Sequence, residues 1–413
     1  MGKLVIGLCS VVRQPLPAAL LCVLGVLVLL SCTAAPGVSR TPSDSPHGRT
    51  AGASPKPGLS HGEVEQTRST VALDLRAIQG LDGITAALAS KRVVFVGEVH
   101  DRYDHHLNQL DILKGLHARN PDTAIGVEWF QQPYQQSLDA YIAGEIDEAT
   151  LLERTEYYSR WRYDFRLYRP ILEYARAEGI PVVALNVPSE LTRKVGRLGL
   201  DTLSAEERAQ LPGEIDRSDS DYRERLRQVY GQHPGGERNF ERFETVQLLW
   251  DEGMAERASR YLQENPGRNL VVLAGSGHLS YGSGIPRRVA RRLPIDYAIV
   301  LSDAGGIPDP QVADYLLMST ERRLPPSGKL GALLDDEDGT VRITRLAGDS
   351  AASVAGLREN DRIVAISGNP VSRFADVKVL LLDSKPGDTV TVEYQRNGWL
   401  GGNNDGAVDV VLR

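Results

Sequence analysis

Val93-Val94-Phe95-Val96-Gly97-Glu98-Val99-His100-Asp101 is an apolar, mostly β-branched run that stops at a glycine and delivers a carboxylate and an imidazole two residues apart. Such a run reads as a buried strand whose C-terminal end opens into a site. The same device recurs at Leu270-Val271-Val272-Leu273-Ala274-Gly275-Ser276-Gly277-His278, with the same Gly-x-x-His spacing. Glycine lets the backbone turn sharply at such a point and approach a ligand closely. In open α/β sheets, ligands sit beyond the carboxyl ends of the strands, so the two strand ends are expected to face one pocket.

Working outward, further apolar runs ending in polar or small residues occur at Ala124–Glu128, Val182–Asn186 and Tyr297–Leu301. Helical patterns lie between them, for example Leu107, Leu110, Leu113 and Leu116. The alternation predicts an α/β fold, a mainly parallel sheet covered by helices. The span 137–230 exceeds what one crossover needs and predicts a helical insertion or lid over the strand ends. After Arg322-Arg323-Leu324-Pro325-Pro326-Ser327-Gly328 the character changes to short strands at Lys329–Leu334, Val341–Leu346, Arg362–Ile366 and Val390–Tyr394. One amphipathic helix, Phe374–Leu382, interrupts them. A Gly-Gly-Asn-Asn-Asp-Gly turn and a last strand, Val408–Leu412, follow Trp399. The expected domains are 71–322 and a small β-rich domain at 328–413.

The chain of 413 residues carries 47 basic against 54 acidic residues, with no long basic run in the folded part, which argues against a nucleic-acid partner. All three cysteines, Cys9, Cys22 and Cys32, precede the folded part, which therefore has no disulfide framework, thiolate metal site or cysteine nucleophile. Pro17–Leu30 is almost wholly apolar, and Leu29-Leu30-Ser31-Cys32 resembles a bacterial lipoprotein signal. The segment 1–31 is then a signal peptide, and Cys32 is the lipidated residue that holds the protein to a membrane. The apolar core is short for the roughly 20 residues of a span. From 32 to 70 the composition is that of a flexible tether, with His47 and His61 solvated. The expected location is the cell envelope, lipid-anchored, on the outer membrane or facing the periplasm.

Chemistry in the folded part falls to His, Glu, Asp, Tyr and Asn. Glu98 and His100 share one side of an extended strand end, although a buried carboxylate and imidazole also serve as hydrogen-bonding partners that hold a loop. His106 lies on one helix face with Leu110, Leu113 and His117 and is placed to line the pocket. His117 reads as a histidine at a helix C-terminus, and His105 as solvated. Glu128 ends the second strand, beside Glu98, and Asn186 ends the third. Glu98, His100, Glu128, Asn186 and His278 thus converge. Two carboxylates and two histidines are adequate for Zn or Mn, and the same set suits the propionates or axial face of a large cofactor. The aromatic segment Tyr157, Tyr158, Trp161, Tyr163, Phe165, Tyr168 and Tyr174 suits a porphyrin, since a tyrosinate can ligate haem iron. A stripe of this kind also serves as core.

Lys329-Leu330-Gly331-Ala332-Leu333, Ser353–Leu357 and Asp361–Gly368 resemble a PDZ domain. That resemblance implies backbone N–H groups around Leu330, Gly331 and Ala332 holding a peptide C-terminal carboxylate, with the peptide added as a strand beside 331–334. Gly97–Asp101, His105-His106 with Gln109, Gly126–Glu128, Trp161 through Ile171, Asn186, Gln247–Ala255 and Ala274–His278 with Gly284–Arg288 resemble the ChaN family of haem-binding lipoproteins in bacterial iron uptake. The resemblance implies haem held between protomers of a homodimer with a tyrosine on the iron, and a haem site drawn from Glu98, His100, His106, Glu128, Tyr168, Asn186 and His278. The paired Gly-x-x-His motifs also resemble the wider Tiki/TraB and erythromycin-esterase-like group, which includes metal-dependent hydrolases. On that alternative, Glu98 or Glu128 is the base that activates water, and His100 and His278 are metal ligands or an acid–base pair.

Overall fold

The computed structural model describes residues 74–231, 239–303, 309–336, 339–397 and 403–413. The signal peptide, Cys32, the tether, His47 and His61 lie outside them. Five strands form where the apolar runs lie: β1 (Val93–Glu98), β2 (Thr123–Gln131), β3 (Val182–Asn186), β4 (Asn269–Gly275) and β5 (Tyr297–Ser302). A sixth, β6 (Tyr315–Leu317), was not expected; its three residues are only half-buried and too few to show a period. The order is β3-β2-β4-β1-β5-β6, with every pair parallel.

The sheet is buried on both faces, and its residues alternate between two cores as the two-residue strand period requires. Val94, Val96, Ile125, Val127, Val271 and Leu273 face one core. Val93, Phe95, Ala124, Leu270, Val272 and Ala274 face the other. The first core is covered by α1 (Leu81–Leu88), α2 (Tyr103–His117), α3 (Gln135–Ile142), α4 (Glu148–Arg154), α5 (Tyr157–Arg160) and α6 (Arg169–Glu178). Between β3 and β4 run α7 (Ser189–Leu198), α8 (Ala205–Arg208), α9 (Ser220–Gly231) and α10 (Phe240–Glu264). Together with α11 (Ile285–Arg292), α10 covers the second core. The expected helical insertion over 137–230 is thus two helical arms either side of β3. The first arm packs into the core, with Leu138, Tyr157, Phe165 and Tyr168 all buried.

Beyond an irregular stretch, β7 (Ala332–Asp335), β8 (Val341–Leu346), β9 (Arg362–Ile366), β10 (Asn369–Pro370), β11 (Thr389–Asn397) and β12 (Asn403–Val411) build an antiparallel sheet, with α12 (Ala351–Val354) and α13 (Phe374–Leu380). Its order is β12-β11-β9-β8-β7, which leaves β7 as an edge paired only with β8. Of the Gly-Gly-Asn-Asn-Asp-Gly stretch expected to turn, Gly401 and Gly402 lie outside the described residues, and Asn403–Gly406 is strand. β12 begins at Asn403, and Gly406 pairs with Tyr394, whose ring fills the space a side chain would take.

Candidate functional site

β4 lies between β2 and β1, so the ends of three adjacent strands bring Glu128, Gly275 and Glu98 side by side. The sequence placed Glu128 directly beside Glu98. In the sheet a whole strand separates their backbones, and only the side chains meet across Gly275. A side chain there would displace the His100 ring: a Cβ on Gly275 would stand 2.8 Å from His100 Cε1 and 3.5 Å from Glu128 Oε2. The register of β2 against β3 shifts between Val127 and Gln131, and this irregularity frees Glu128 from the β3 ladder. Its Oε2 then accepts the Gly275 N–H at 2.7 Å.

Two charge-paired imidazoles flank this floor. His100 Nδ1 lies 2.5 Å from Glu98 Oε1. Burial of the ring works against its charge, but Glu98 and then Glu128 outweigh it and raise His100 to about 9. His278 Nδ1 meets Asp251 Oδ1 at 2.7 Å, and its Nε2 lies 3.4 Å from Glu128 Oε1. Burial opposes the His278 charge as well, and Glu128 and Asp251 raise its pKa well above the usual value. Glu128 is the complement: burial would raise it, yet His278, His100 and the Gly275 N–H hold it down at about 2. The second oxygen of Asp251 accepts from the Tyr222 hydroxyl at 2.6 Å. The floor is therefore an alternating array of fixed charges, held before any ligand arrives.

Behind His100 stands an aromatic wall. Its ring packs edge-on to Trp161 at 4.9 Å and against Tyr163 at 5.0 Å. Trp161 Nε1 donates to the Tyr168 hydroxyl at 2.9 Å, which in turn points at the His100 carbonyl at 3.4 Å. Tyr168 is fully buried, and burial raises its pKa well above the ordinary phenol value. It therefore braces the wall and presents no free oxygen. Tyr157 and Tyr158 are buried too, which leaves Tyr163 as the half-buried tyrosine at the face of the site.

Three expected positions differ in role. His106 does not line the pocket; it is wholly buried, bridging Gln109 Oε1 at 3.2 Å and the His100 carbonyl at 3.1 Å. His105 is not solvated but fully buried, because its Nδ1 accepts the Val99 N–H at 3.1 Å and so shapes the turn from β1 into α2. Asn186 donates its amide to the Glu128 carbonyl and accepts the Val187 N–H on its oxygen, so it fixes the β2 end. Asp251 and Tyr222 went unread in the sequence: both sit on helices where acids and tyrosines ordinarily face water. The surrounding pattern, Leu248-Leu249-Trp250 immediately before Asp251-Glu252, is the available signal, because apolar residues on every side of α10 bury its whole circumference.

The site suits a planar, aromatic, anion-bearing or metal-bearing ligand. The His100–Trp161–Tyr163 face offers flat rings. Glu98 Oε2 and Ser276 Oγ are buried without a hydrogen-bond partner. Both are donors or acceptors that a ligand can complete. For a small cation, one ligand atom each from Glu98, His100 and Glu128 lies within 4.8 Å of the others. His278, expected as a metal ligand, is not in that group. Both of its nitrogens already face the carboxylates of Asp251 and Glu128.

In the second domain, Gly331 opens the edge strand with φ +70°, and its neighbours Lys329 and Arg413 exchange backbone hydrogen bonds. Among the described residues β7 has a strand on one side, β8, and Asp336, just past β7, accepts the Phe374 N–H at the start of α13 at 2.8 Å.

Residues 84–289 match the family described as haem-binding uptake, Tiki superfamily, ChaN, and residues 328–403 match the PDZ domain family. A curated relative, the chloroplastic RETICULATA-RELATED 5 protein of Arabidopsis thaliana, is 26% identical over 57% of this chain. The match spans only 35% of that relative's length. Among solved structures, ChaN of Campylobacter jejuni, described as binding haem cofacially, is 18% identical with a TM-score of 0.47, covering 58% of this chain and 91% of that one. An erythromycin esterase, EreC, in its open conformation is also 18% identical, with a TM-score of 0.33, covering 53% and 72%.

Proposed function

We propose, from a chain that carries a ChaN-type domain of the Tiki superfamily at 84–289 and a PDZ domain at 328–403, that the strand-end site binds haem and the PDZ module takes a protein C-terminus. The match of residues 84–289 to a haem-binding family carries this reading. The ring face of His100, Trp161 and Tyr163 supports it with a surface on which a porphyrin can lie. Tyr163, half-buried against the His100 ring, would be the tyrosine to offer its oxygen to the iron, with Glu98 and His100 beside it. When bound, haem supplies the iron and its Soret band; the chain supplies the flat face and the fixed charges. Acylation at Cys32 would hold the protein in the cell envelope, in haem or iron uptake, with a homodimer as the assembly.

Haemin titrated into the protein should give a saturable Soret shift, weakened in His100→Ala and His278→Ala. Tyr163→Phe should change the spectrum, whereas Tyr157→Phe, Tyr158→Phe and Tyr168→Phe should keep its ligand-field pattern. Replacing Cys32 with Ser should move the protein to the soluble fraction; retained membrane association would indicate a span.

One observation favours a second reading. Glu98, His100 and Glu128 can converge on one Zn or Mn ion, with the unpartnered Glu98 Oε2 as a ready ligand. A hydrolase built this way would show stoichiometric metal, no saturable haemin binding, and ester or peptide cleavage abolished by Glu98→Gln.

A further inference from the structure

Helix α13 belongs to two cores at once. Val377, Leu380 and Leu381 pack into the second domain's core. Ala375, Val379 and, just past the helix, Leu382 pack into the core beneath α4 and α5. Ion pairs clamp both ends: Arg373 Nη2 lies 3.4 Å from Glu153 Oε1, and Asp383 Oδ1 lies 2.5 Å from Arg169 Nη1, which also holds Glu148. Between them, the Lys378 ammonium sits 5.6 Å over the Tyr158 ring. The helix against which a peptide beside β7 would lie is therefore fastened to the first domain as well as to its own.

From Tyr158, packed rings lead to the site. Tyr158 stands 5.2 Å from Tyr157, which lies 6.5 Å from Tyr168. Tyr168 holds Trp161, and Trp161 stands against His100. The short helix α5 joins the two ends of this series. It is bracketed by two residues in left-handed backbone conformation, Glu156 at φ +50° and Arg162 at φ +75°. Neither is glycine, so both positions hold strain that a rotation of α5 would redistribute. The Tyr157 hydroxyl is buried inside this segment without a hydrogen-bond partner, while Arg160 ties the other end of α5 to Gln131 and Glu190.

Resting on the haem and peptide readings above, we infer that a bound peptide C-terminus is an effector of the strand-end site. A strand added beside β7 would press on α13, whose Ala375 and Val379 pack against the first domain. Close-packed interiors transmit such a shift to their neighbours, so α5 turns between its strained ends and resets Trp161 and Tyr163 against His100. By linkage, a ligand at His100 changes peptide affinity by the same factor.

The test uses the full chain labelled with 5-fluorotryptophan, the Trp161 resonance being identified with Trp161→Phe. The probe is the tightest free-carboxylate peptide from a C-terminal peptide array, with its amide as control. Peptide should shift the Trp161 resonance and alter hydrogen exchange across 157–168, while the amide does neither. Haemin affinity should change by at least about five-fold between peptide-free and peptide-saturated protein. Leu382→Ala combined with Asp383→Asn loosens the seam just past α13 and outside both sites; it should keep peptide binding and reduce both responses. Because the Trp161 readout needs no haem, a moving resonance without haemin binding removes the haem reading and leaves the coupling standing. Peptide bound by calorimetry with Trp161 and 157–168 unmoved overturns the inference, as does a full response in the seam variant or an array without any binder.

Discussion

At the ends of β1, β2 and β4, recognition rests on side chains: Glu98, His100, Glu128, Asp251 and His278 hold one another in fixed pairs around a glycine. Along β7 the proposed peptide site rests on backbone: Ala332–Leu334 belong to a half-buried edge strand with a partner strand on one side among the described residues. The difference teaches where each site is vulnerable. Deleting a charge should wreck the first and barely touch the second. Distorting a dihedral should do the reverse.

The largest expected effect is at Asp251. Asp251→Ala strips a partner from His278 and from Tyr222 in a region of near-zero exposure. Removing one member of a buried pair costs about 3–5 kcal/mol, which for a domain of this size lowers the melting temperature by on the order of 10 °C. Calorimetry on the full chain would check it, and haemin binding should fall with it. A loss under about 1 kcal/mol would place the pair in the class of exposed salt bridges and break the contrast between the two sites.

Next in size is Gly331. At φ +70° an L-residue is strained, and a Cβ there would stand 2.6 Å from Ser350 Cβ. Gly331→Ala should cost about 1–2 kcal/mol from the left-handed backbone alone, with more from the contact. Peptide affinity, read by fluorescence polarisation, should drop while the Soret titration stays at its wild-type midpoint. Equal damage to both titrations would show that the two sites fail together.

The same contrast explains what the sequence disclosed. The strands β1 to β5 were legible because a sheet buried on both faces demands unbroken Val, Ile and Leu runs. His100, Glu128 and His278 were legible because each follows such a run. Asp251 was hidden in a 25-residue helix whose acids look solvated until α9 and α11 cover them. His105 was misread because its burial follows from one backbone hydrogen bond to Val99, which leaves no periodic trace. The tyrosines could not be ranked by spacing, since burial of Tyr168 and partial exposure of Tyr163 depend on how α5 and α6 dock. In the second domain the order of strands was enough for the PDZ resemblance that the match at 328–403 bears out, although Asn403–Gly406, expected to turn, is strand.

The smallest expected effect sharpens the comparison, because here a side chain serves the backbone site. Asp376 Oδ2 accepts the Ser372 and Arg373 N–H groups at 3.0 and 2.9 Å, and its Oδ1 accepts from Arg373 Nη2 at 2.9 Å. This fixes the start of α13 as a capping arrangement does. Burial alone would raise the Asp376 pKa, but these backbone donors, the Ser372 hydroxyl and the Arg373 charge outweigh it and hold it below the ordinary value. A depressed folded-state pKa gives stability that is fully present above the unfolded carboxyl's pKa, near 4, and lost as pH falls through the folded one. Acidification below about pH 4 should therefore loosen α13, read as faster amide exchange at 374–380 and weaker peptide binding. Asp376→Asn should show the loosened state already at neutral pH, at a cost of about 1 kcal/mol, with a flatter acid limb. Other groups also take up protons on acidification, so the quantity that decides is the difference between the two proteins' curves. Superimposable acid limbs would remove Asp376 from the account and leave the groove held by backbone alone.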